Sequence, residues 1–302
     1  MGIIYPDRLY PGAKIGITSP AGAVRPEYIE GAAQVIAESG FIPVIMPHAK
    51  ERYGSYSGSL ENRLADFMAA LTDNDIKAIM CGRGGYGAVH LLEYLPESII
   101  TQNPKWLIGF SDISALHAAW WHAGVASLHA PMCKHLTLRG ENDSYTQLLF
   151  KTLCGEKLTY KTTPNGLNRT GVATGSIIGG NFAVLSALIG SKYDIFRQKD
   201  MILFIEDISE PVYKVERMLY TLKLNGVFEN IRGMIVGQFC NYTADKDNDE
   251  DIPMMISRMT ANYDIPISFD FPIGHVDENV TIIEGGDVKL SVTNIGTELK
   301  FI

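Results

Sequence analysis

The sequence predicts a two-domain α/β protein in which a doubly wound parallel sheet precedes a smaller β-rich domain. Up to about residue 155, short apolar runs alternate with segments of helical periodicity, the pattern of a parallel sheet covered by helices. A polar stretch at residues 156–170 then interrupts the alternation. Several short strand-like runs follow it. We therefore expect domains at residues 1–155 and 171–302, joined by a linker at residues 156–170.

The elements of the first domain follow one another regularly along the chain. Each predicted strand is a short apolar run, and each predicted helix has apolar residues at helical spacing. Ser59 is a preferred N-cap residue at the start of one helix, and Gly40 ends another. The predicted strands are residues 14–18, 41–46, 76–80, 106–110 and 126–129. The predicted helices are residues 26–39, 59–71 and 88–95, and a helix that begins just after residue 110.

The second domain is less regular, and its short strands favour a barrel-like or sandwich-like arrangement. Pro211 is suited to the start of a helix, and the acidic residues 245–251 are interpreted as a solvated loop. The predicted helices are residues 181–189 and 211–224. The predicted strands are residues 201–205, 233–239, 265–273, 280–283, 288–292 and 298–302.

Composition excludes several functional classes. The chain has 302 residues, 46% of them hydrophobic, and a formal net charge of −8 without a long basic run, which argues against a nucleic-acid or anionic-membrane surface. No apolar run approaches the length of a membrane span, and the first residues lack the pattern of a signal peptide. The four cysteines form no CxxC pair, so we expect reduced thiols and a cytoplasmic protein.

Ser111 is the first candidate catalytic residue. It stands where the predicted strand 106–110 turns into a helix, and Gly109 supplies the small residue that a nucleophile elbow needs two positions earlier. Such a turn lifts the hydroxyl off the sheet and brings N–H groups of the helix start close to a developing oxyanion. The match is partial, because Ile113 replaces the usual glycine. The alternative is that Ser111 or Asp112 caps the helix.

A serine nucleophile needs a base, and the base needs an acid that orients it. Among the seven histidines, His117 is on the same helix but well round from Ser111, whereas His129 ends a strand of the same sheet. His275 follows a strand within a glycine-led loop, a favourable position for a base. The alternative is an ordinary turn histidine.

Glu206 is the best-placed acid, because it ends the apolar run MILFI and an acid that leaves a buried strand needs a partner. Strand alternation sends Glu206 and Asp207 to opposite faces. The alternative for Glu206 is a structural salt bridge with Lys214 or Arg217.

The glycine-rich loop at residues 82–87 lacks the Lys-Ser/Thr of a phosphate-binding loop and does not open a dinucleotide-binding unit. Its glycines suit a close approach of the backbone to a substrate. Its N–H groups can form one half of an oxyanion hole, with the N–H of Asp112 as the other half. The alternative is a tight turn without a catalytic role.

Five segments taken together resemble the LD-carboxypeptidase family of serine peptidases in order and spacing, over nearly the whole chain. They are CGRGGYGAVHLL, WLIGFSDISALHAAW, GSIIGGNFAVLSALIG, ILFIEDISEPVYKVERML and GHVDEN. The resemblance implies an N-terminal domain like that of class I glutamine amidotransferases and a β-rich C-terminal domain. It also implies a homodimer without metal or cofactor. The chain departs from the family pattern at residues 280–286, which affects substrate contacts more than the catalytic residues.

Carried over by motif, the resemblance implies that Ser111 is the nucleophile, Glu206 the acid and His275 the base, in a triad shared between the two domains. It gives the oxyanion N–H groups to Gly85 and Asp112, with Gly84 as the competing choice to Gly85. Substrate contacts are then expected from the same loop. These are Gly84, Tyr86 and Arg83, the last as the cation for a substrate carboxylate.

The implied activity is removal of the terminal D-alanine from murein tetrapeptides during cell-wall recycling. One alternative is a hydrolase of peptidyl-nucleotides, of the kind that confers self-immunity to microcin C. A second alternative is a catalytically silent murein-peptide binding protein, against which the presence of all three triad residues counts.

Overall fold

The computed structural model describes residues 2–243 and 250–302, and these form two compact units. The first unit comprises the chain up to Glu156 together with Asn279–Gly285, and the second comprises Lys157–Glu278 and Gly286–Ile302. Within the described ranges, every helix is too short or too polar to cross a bilayer.

The strands and helices alternate through the first unit and become more mixed in the second. The helices are α1 (Pro26–Glu38), α2 (Leu60–Thr72), α3 (Glu97–Gln102), α4 (Ser114–His122), α5 (Cys133–Arg139), α6 (Ser144–Leu153), α7 (Phe182–Ser186), α8 (Val212–Leu224), α9 (Val227–Asn230) and α10 (Ile252–Met259). The strands are β1 (Lys14–Thr18), β2 (Ile42–Ile45), β3 (Ile76–Cys81), β4 (Trp106–Gly109), β5 (Ser127–His129), β6 (Thr159–Thr162), β7 (Gly171–Asn181), β8 (Ile202–Ile208), β9 (Gly233–Cys240), β10 (Ile267–Ser268), β11 (Ile282–Glu284), β12 (Asp287–Thr293) and β13 (Gly296–Phe301).

The first unit contains a six-stranded sheet in the order β11-β5-β4-β3-β1-β2. Strands β1 to β5 are parallel, and β11 is antiparallel to β5 at the edge. The central strands β3 and β4 are almost continuously buried, as expected for a sheet with helices on both faces. Gly109 at the end of β4 pairs with His129 at the end of β5, so the loops after these strands leave the same edge. The predicted doubly wound parallel sheet is confirmed.

The second unit contains a seven-stranded sheet in the order β10-β9-β8-β7-β12-β13-β6. Strands β7 to β10 are parallel to one another, whereas the pairs β7–β12, β12–β13 and β13–β6 are antiparallel. The sheet curls toward itself. Arg169, which follows β6 in the chain, exchanges backbone hydrogen bonds of 2.9 and 3.1 Å with Ile267 of β10. In addition, the hydroxyl oxygens of Ser268 in β10 and Thr297 in β13 are 2.8 Å apart. The predicted β-rich domain therefore has the barrel-like arrangement.

The unit boundaries differ from the predicted domains in two respects. The predicted linker at residues 156–170 contains β6, which pairs with β13. A polar edge strand lacks the apolar pattern that marks a buried strand. Residues 279–285, predicted to belong to the second domain, add β11 to the sheet of the first unit. The prediction missed this because backbone pairing between distant segments leaves no local pattern in the sequence.

Individual elements also differ from the sequence predictions. The predicted helix 181–189 is shorter, with α7 at Phe182–Ser186, and only residues 267–268 of the predicted strand 265–273 form β10. Most of the predicted acidic loop at residues 245–251 lies outside the described residues. Its last member, Asp251, is the N-cap of α10 and accepts a hydrogen bond from the N–H of Met254.

Candidate active site

Ser111 occupies a sharp turn between β4 and α4. Phe110 is extended, with a φ angle of −155°, whereas Ser111 has a φ angle of +65°. A positive φ is uncommon for a residue with a side chain and stores strain. A single turn of 3₁₀ helix at Ser111–Ile113 then leads into α4. This is the strained strand-to-helix turn that the sequence predicts for a nucleophile elbow.

The space below the turn requires Gly109. A Cβ atom at Gly109 would lie 3.0 Å from Cγ1 of Ile113 and 3.2 Å from Cβ of Cys81. Ile113, which stands where the elbow pattern usually has glycine, is fully buried. Its side chain fills the interior beneath the turn. The small residue two positions before Ser111 is therefore a packing requirement.

The alternative that Asp112 caps the helix is wrong. Neither the 3₁₀ turn nor α4 has a side-chain cap hydrogen bond. Oδ2 of Asp112 instead accepts a hydrogen bond of 2.8 Å from the N–H of Ala88, at the end of the glycine-rich loop. Burial raises the pKa of the Asp112 carboxyl, and the hydrogen bond from Ala88 opposes this shift.

The glycine-rich loop packs directly on Ser111. A Cβ atom at Gly84 would lie 2.7 Å from Cβ of Ser111, 2.9 Å from its Oγ and 3.1 Å from the backbone N of Asp112. These separations are too short for any side chain at position 84. The glycine-rich composition of the loop therefore permits close backbone approach to the serine, as the sequence predicts.

One hydrogen bond sets the direction of the peptide between Gly84 and Gly85. The carbonyl of Gly84 accepts a hydrogen bond of 3.0 Å from the N–H of Gly22, in the loop after β1. In a planar trans peptide the N–H points opposite to the carbonyl, so the N–H of Gly85 points away from Gly22. Within the described part of the chain, no carbonyl accepts this N–H. The N–H of Gly84 likewise donates to no backbone carbonyl in the described residues, so Gly84 and Gly85 both remain candidates for the oxyanion donor.

Arg83 and Tyr86 flank these glycines at the surface. Nη1 of Arg83 donates a hydrogen bond of 2.8 Å to the carbonyl of Ala23. The Tyr86 side chain is 57% exposed, and its ring lies 5.6 Å from the ring of Tyr56 and 5.7 Å from that of His90. An exposed cation and an exposed aromatic ring therefore border the segment that packs on the serine.

In the second unit, Glu206 and His275 form a hydrogen-bonded pair. Nδ1 of His275 lies 2.8 Å from Oε2 of Glu206, which is completely buried. Gly274 has a φ angle of +124°, and a Cβ atom there would lie 2.8 Å from the same oxygen. Only glycine allows the loop to approach the carboxylate this closely. A carboxylate oxygen accepts, so Nδ1 of His275 is the donor of this hydrogen bond.

Asp207 has a structural role on the other side of β8. Oδ1 accepts a hydrogen bond of 3.0 Å from the side chain of Asn181, and Oδ2 accepts one of 2.9 Å from the N–H of Ala183 at the start of α7. Burial raises the pKa of the Asp207 carboxyl to about 6, and the neighbouring charge of Glu206 adds to the rise. The predicted separation of the two acids is confirmed.

The alternative structural salt bridge for Glu206 is wrong. Nζ of Lys214 lies 3.4 Å from Oε2 of Glu210, and the guanidinium of Arg217 lies over the ring of Tyr213 at 5.0 Å. Lys214 and Arg217 thus have other partners, and the imidazole is the partner that the structure shows for Glu206.

The remaining histidines have structural environments. His117 is fully buried, with Nε2 lying 2.9 Å from the carbonyl of Gly109 and Nδ1 lying 2.8 Å from Oγ of Ser127. His129, considered from the sequence as a second candidate, is fully buried against the ring of Phe110. In residues 2–243 and 250–302, no cluster of three His, Cys, Asp or Glu side chains is arranged to hold a metal ion.

Two residues that shape this region, Gly22 and Arg63, are not indicated by any sequence pattern. Gly22, which binds the Gly84 carbonyl, follows β1 in a turn whose role no motif indicates. Arg63 of α2 is buried and donates hydrogen bonds to the carbonyls of Pro20 and Gly87. An arginine on an amphipathic helix is ordinarily exposed, so the sequence of α2 does not indicate that Arg63 is buried. The structure collects Ser111, Asp112 and the glycine-rich loop in the first unit, and Glu206 and His275 in the second.

Comparisons with known proteins cover both units. Residues 15–130 match the model of the LD-carboxypeptidase N-terminal domain, and residues 174–290 match that of the LD-carboxypeptidase C-terminal domain. A probable murein peptide carboxypeptidase of Bacillus subtilis is 29% identical over 296 residues, covering 95% of this chain and 91% of that protein.

Two solved structures show the same fold. The muramoyltetrapeptide carboxypeptidase from Oxalobacter formigenes has a TM-score of 0.87 and 27% identity, covering 95% of this chain and 98% of that one. The microcin C7 self-immunity protein MccF, in complex with aspartyl sulfamoyl adenosine, has a TM-score of 0.85 over 99% of this chain and 98% of that one. At 22% identity, the second similarity concerns the fold alone. The chain belongs to the LD-carboxypeptidase family and is a serine-type carboxypeptidase.

Proposed function

We propose that the protein removes the terminal D-alanine from murein tetrapeptides in cell-wall recycling, with Ser111, Glu206 and His275 as its catalytic triad. The buried hydrogen bond between Glu206 and His275 is the observation on which this depends. It fixes the tautomer of the imidazole and leaves Nε2 as the base. The strained turn at Ser111 supports the assignment of the nucleophile, because such a turn presents the hydroxyl above the sheet.

In the proposed reaction, Nε2 of His275 takes the proton of the Ser111 hydroxyl as Oγ attacks the carbonyl carbon of the scissile bond. The N–H groups of Gly85 and Asp112 donate to the oxyanion. His275 then protonates the amine of the leaving D-alanine, and the carbon–nitrogen bond breaks. Water, deprotonated by the same imidazole, hydrolyses the acyl-enzyme and restores the serine. Glu206 stabilises the imidazolium in both halves of the reaction.

The substrate assignment rests on the relatives and on the surface of the glycine-rich loop. The B. subtilis relative and the O. formigenes structure are named for murein peptides. We assign the free carboxylate of the substrate to Arg83, and we expect Gly84 and Tyr86 to contact the peptide. An arginine suits this role because its guanidinium binds a carboxylate through two parallel hydrogen bonds.

The experiment is incubation of the purified protein with free tetrapeptide and with the disaccharide tetrapeptide, followed by mass spectrometry. We expect loss of one alanine from both, no loss with Ser111→Ala, and native activity with Ser98→Ala, which removes an exposed hydroxyl on α3. Activity retained in Ser111→Ala would refute the nucleophile. Binding of the tetrapeptide by the native protein without turnover would indicate a silent binding protein.

A peptidyl-nucleotide hydrolase is the second candidate, because the exposed ring of Tyr86, packed against Tyr56 beside the loop, offers a surface for base stacking. Aspartyl sulfamoyl adenosine, added in a parallel reaction, distinguishes the two. Cleavage of this compound without cleavage of the tetrapeptide would replace the murein assignment. We further propose a homodimer, for which sedimentation equilibrium is the direct measurement.

A further inference from the structure

Arg63 is a buried cation whose hydrogen bonds converge on the loops around Ser111. The residue is 3% exposed, and Nη1 donates to the carbonyl of Pro20 at 2.7 Å and to that of Gly87 at 3.0 Å. Nη2 lies 3.3 Å from Nδ1 of His90. A guanidinium only donates, so this nitrogen of His90 accepts. A buried charge is costly unless its donors are satisfied. Three acceptors meet Nη1 and Nη2 of Arg63, whereas its buried Nε has no hydrogen-bond partner among the described residues.

The two carbonyls belong to the loops that follow β1 and β3, which are neighbours in the sheet. Gly87 closes the glycine-rich loop with a φ angle of +116°, and a Cβ atom there would lie 3.0 Å from Nη1 of Arg63. The absence of a side chain at position 87 thus allows the guanidinium to approach the backbone. Arg63 thereby ties the end of the glycine-rich loop to the turn after β1.

Two further contacts hold the same loop. The N–H of Gly22 donates to the carbonyl of Gly84, and the carboxylate of Asp112 accepts the N–H of Ala88. Three contacts from other segments therefore hold residues 84–88, and the N–H of His90 also donates to the Gly87 carbonyl at 3.2 Å. The contact made by Arg63 lies between the peptide that carries the Gly85 N–H and the residue bound by Asp112.

We propose that Arg63 is a positioning residue for the oxyanion hole, because it fixes the Gly87 end of the glycine-rich loop and so helps to hold the Gly85 N–H in the direction that the Gly22 hydrogen bond gives it. This rests on the proposed roles of Ser111 and Gly85 and is independent of the murein substrate.

Without the guanidinium, the two carbonyls lose their shared donor, and the Gly87 end of the loop is left with the hydrogen bond from the N–H of His90 and the Asp112 contact at Ala88. A donor displaced by about 1 Å costs on the order of 100-fold in rate, and loss of one oxyanion donor costs about 10² to 10³ in kcat.

Lys105 provides a matched control. It is also a buried cation in the first unit, 7% exposed, and Nζ donates to the carbonyls of Ala70 and Asp73 at the end of α2. It precedes β4, so it lies at the sheet edge opposite to Ser111. Replacing either cation by Met removes a buried charge and leaves an unbranched side chain of similar length. Only the replacement of Arg63 removes a hydrogen bond to the glycine-rich loop.

The test measures the rate at which a fluorophosphonate labels Ser111 in the full-length protein. In this reaction Oγ bonds to phosphorus, fluoride leaves, the serine proton passes to His275, and the phosphoryl oxygen occupies the oxyanion hole. We expect Arg63→Met to lower the labelling rate about 100-fold and Lys105→Met to change it less than about threefold. Circular dichroism and the unfolding midpoint report the folding of both variants.

Equal labelling by Arg63→Met and the native protein would overturn the inference, as would an equal loss in Lys105→Met. If Arg63→Met does not fold, the labelling rate of Arg63→Lys is measured instead. Lysine keeps the charge but not the planar fork that reaches both loops, so we expect about a tenfold loss of labelling, and native labelling overturns the inference.

With the tetrapeptide, kcat should fall while KM stays within about twofold. A change confined to KM would also overturn the positioning role. A native protein that reacts with the fluorophosphonate but does not cleave the tetrapeptide would end the proposed murein substrate and leave the assignment of Arg63 intact.

Discussion

His275 and Glu206 are in hydrogen-bond contact, with 2.8 Å between Nδ1 and Oε2, although 69 positions separate them in the chain. The contact depends on the missing side chain of Gly274 and on the complete burial of the carboxylate. A buried acceptor that meets one ring nitrogen decides which tautomer the imidazole adopts. The pair thus provides an oriented base within a single unit.

Replacing Glu206 by Gln should lower kcat by about 10⁴ with little loss of fold, because the amide can donate to Nδ1 and stabilise the wrong tautomer. Tetrapeptide hydrolysis measures the effect. The control is Glu216→Gln, which changes an exposed carboxylate 3.3 Å from Arg258 and should leave kcat unchanged. A Glu206→Gln enzyme within tenfold of the native rate would contradict the proposed triad.

Replacing Gly84 by Ala should abolish turnover, since the added methyl group would lie 2.7 Å from Cβ of Ser111. Either the loop or the serine must move, and both movements disrupt the geometry of attack. Gly166→Ala is the control, because a Cβ atom at that position meets nothing within 4 Å. Fluorophosphonate labelling and hydrolysis should fall together in the first variant. Normal labelling of Gly84→Ala would show that the loop does not constrain the nucleophile.

His117 should make stability depend on pH. Burial lowers the pKa of His117 from 6.5 to about 4, and for this reason its contact at 3.9 Å with Glu284 is not an ion pair at neutral pH. A lowered pKa means that the unfolded chain binds the proton more readily. The stabilisation is therefore complete above pH 6.5 and declines as the pH falls toward 4, by roughly 3 kcal/mol in all.

Urea unfolding of the native protein and His117→Gln at pH 7 and pH 4.5 measures this decline. The variant should lose less unfolding free energy than the native protein between the two values, because glutamine does not titrate. His122→Gln, at an exposed position, should retain the native pH dependence. An identical decline in His117→Gln would mean that other groups cause it.

Replacing Arg83 by Gln should raise KM for the tetrapeptide by about tenfold or more, because a charge-assisted contact with the terminal carboxylate is lost. A tetrapeptide with an amidated C-terminus should bind both enzymes equally weakly. Arg232→Gln, which removes an exposed partner of Asp200, is the control. An unchanged KM in Arg83→Gln would assign the carboxylate to another cation.

The residues that could be predicted from sequence are those whose role follows from local pattern. A small residue, a serine and a helix start adjoin one another at Gly109, Ser111 and α4, and the turn that they predict is present. The parallel sheet was equally predictable, because each buried strand is a continuous apolar run.

Other features depend on contacts between distant segments. Folding buries His129 against Phe110 and brings His275 to the carboxylate of Glu206, and this difference supports His275 as the proposed base. Strand β6 is held by backbone pairing with β13 and by one buried ring, that of Tyr160, rather than by a continuous apolar run. Arg63 stays hidden in the sequence because nothing in α2 distinguishes a buried arginine from a solvated one.

Strand β11 has a consequence for how the protein is made. The chain passes between the two units after Glu156, after Glu278 and again after Gly285, so the last strand of the first sheet is translated after nearly all of the second unit. Until Ile282–Glu284 leave the ribosome, the free edge of β5 presents unpaired backbone groups, which are prone to association with other chains. The unit that contains Ser111 therefore completes its sheet only when synthesis of the chain is almost over.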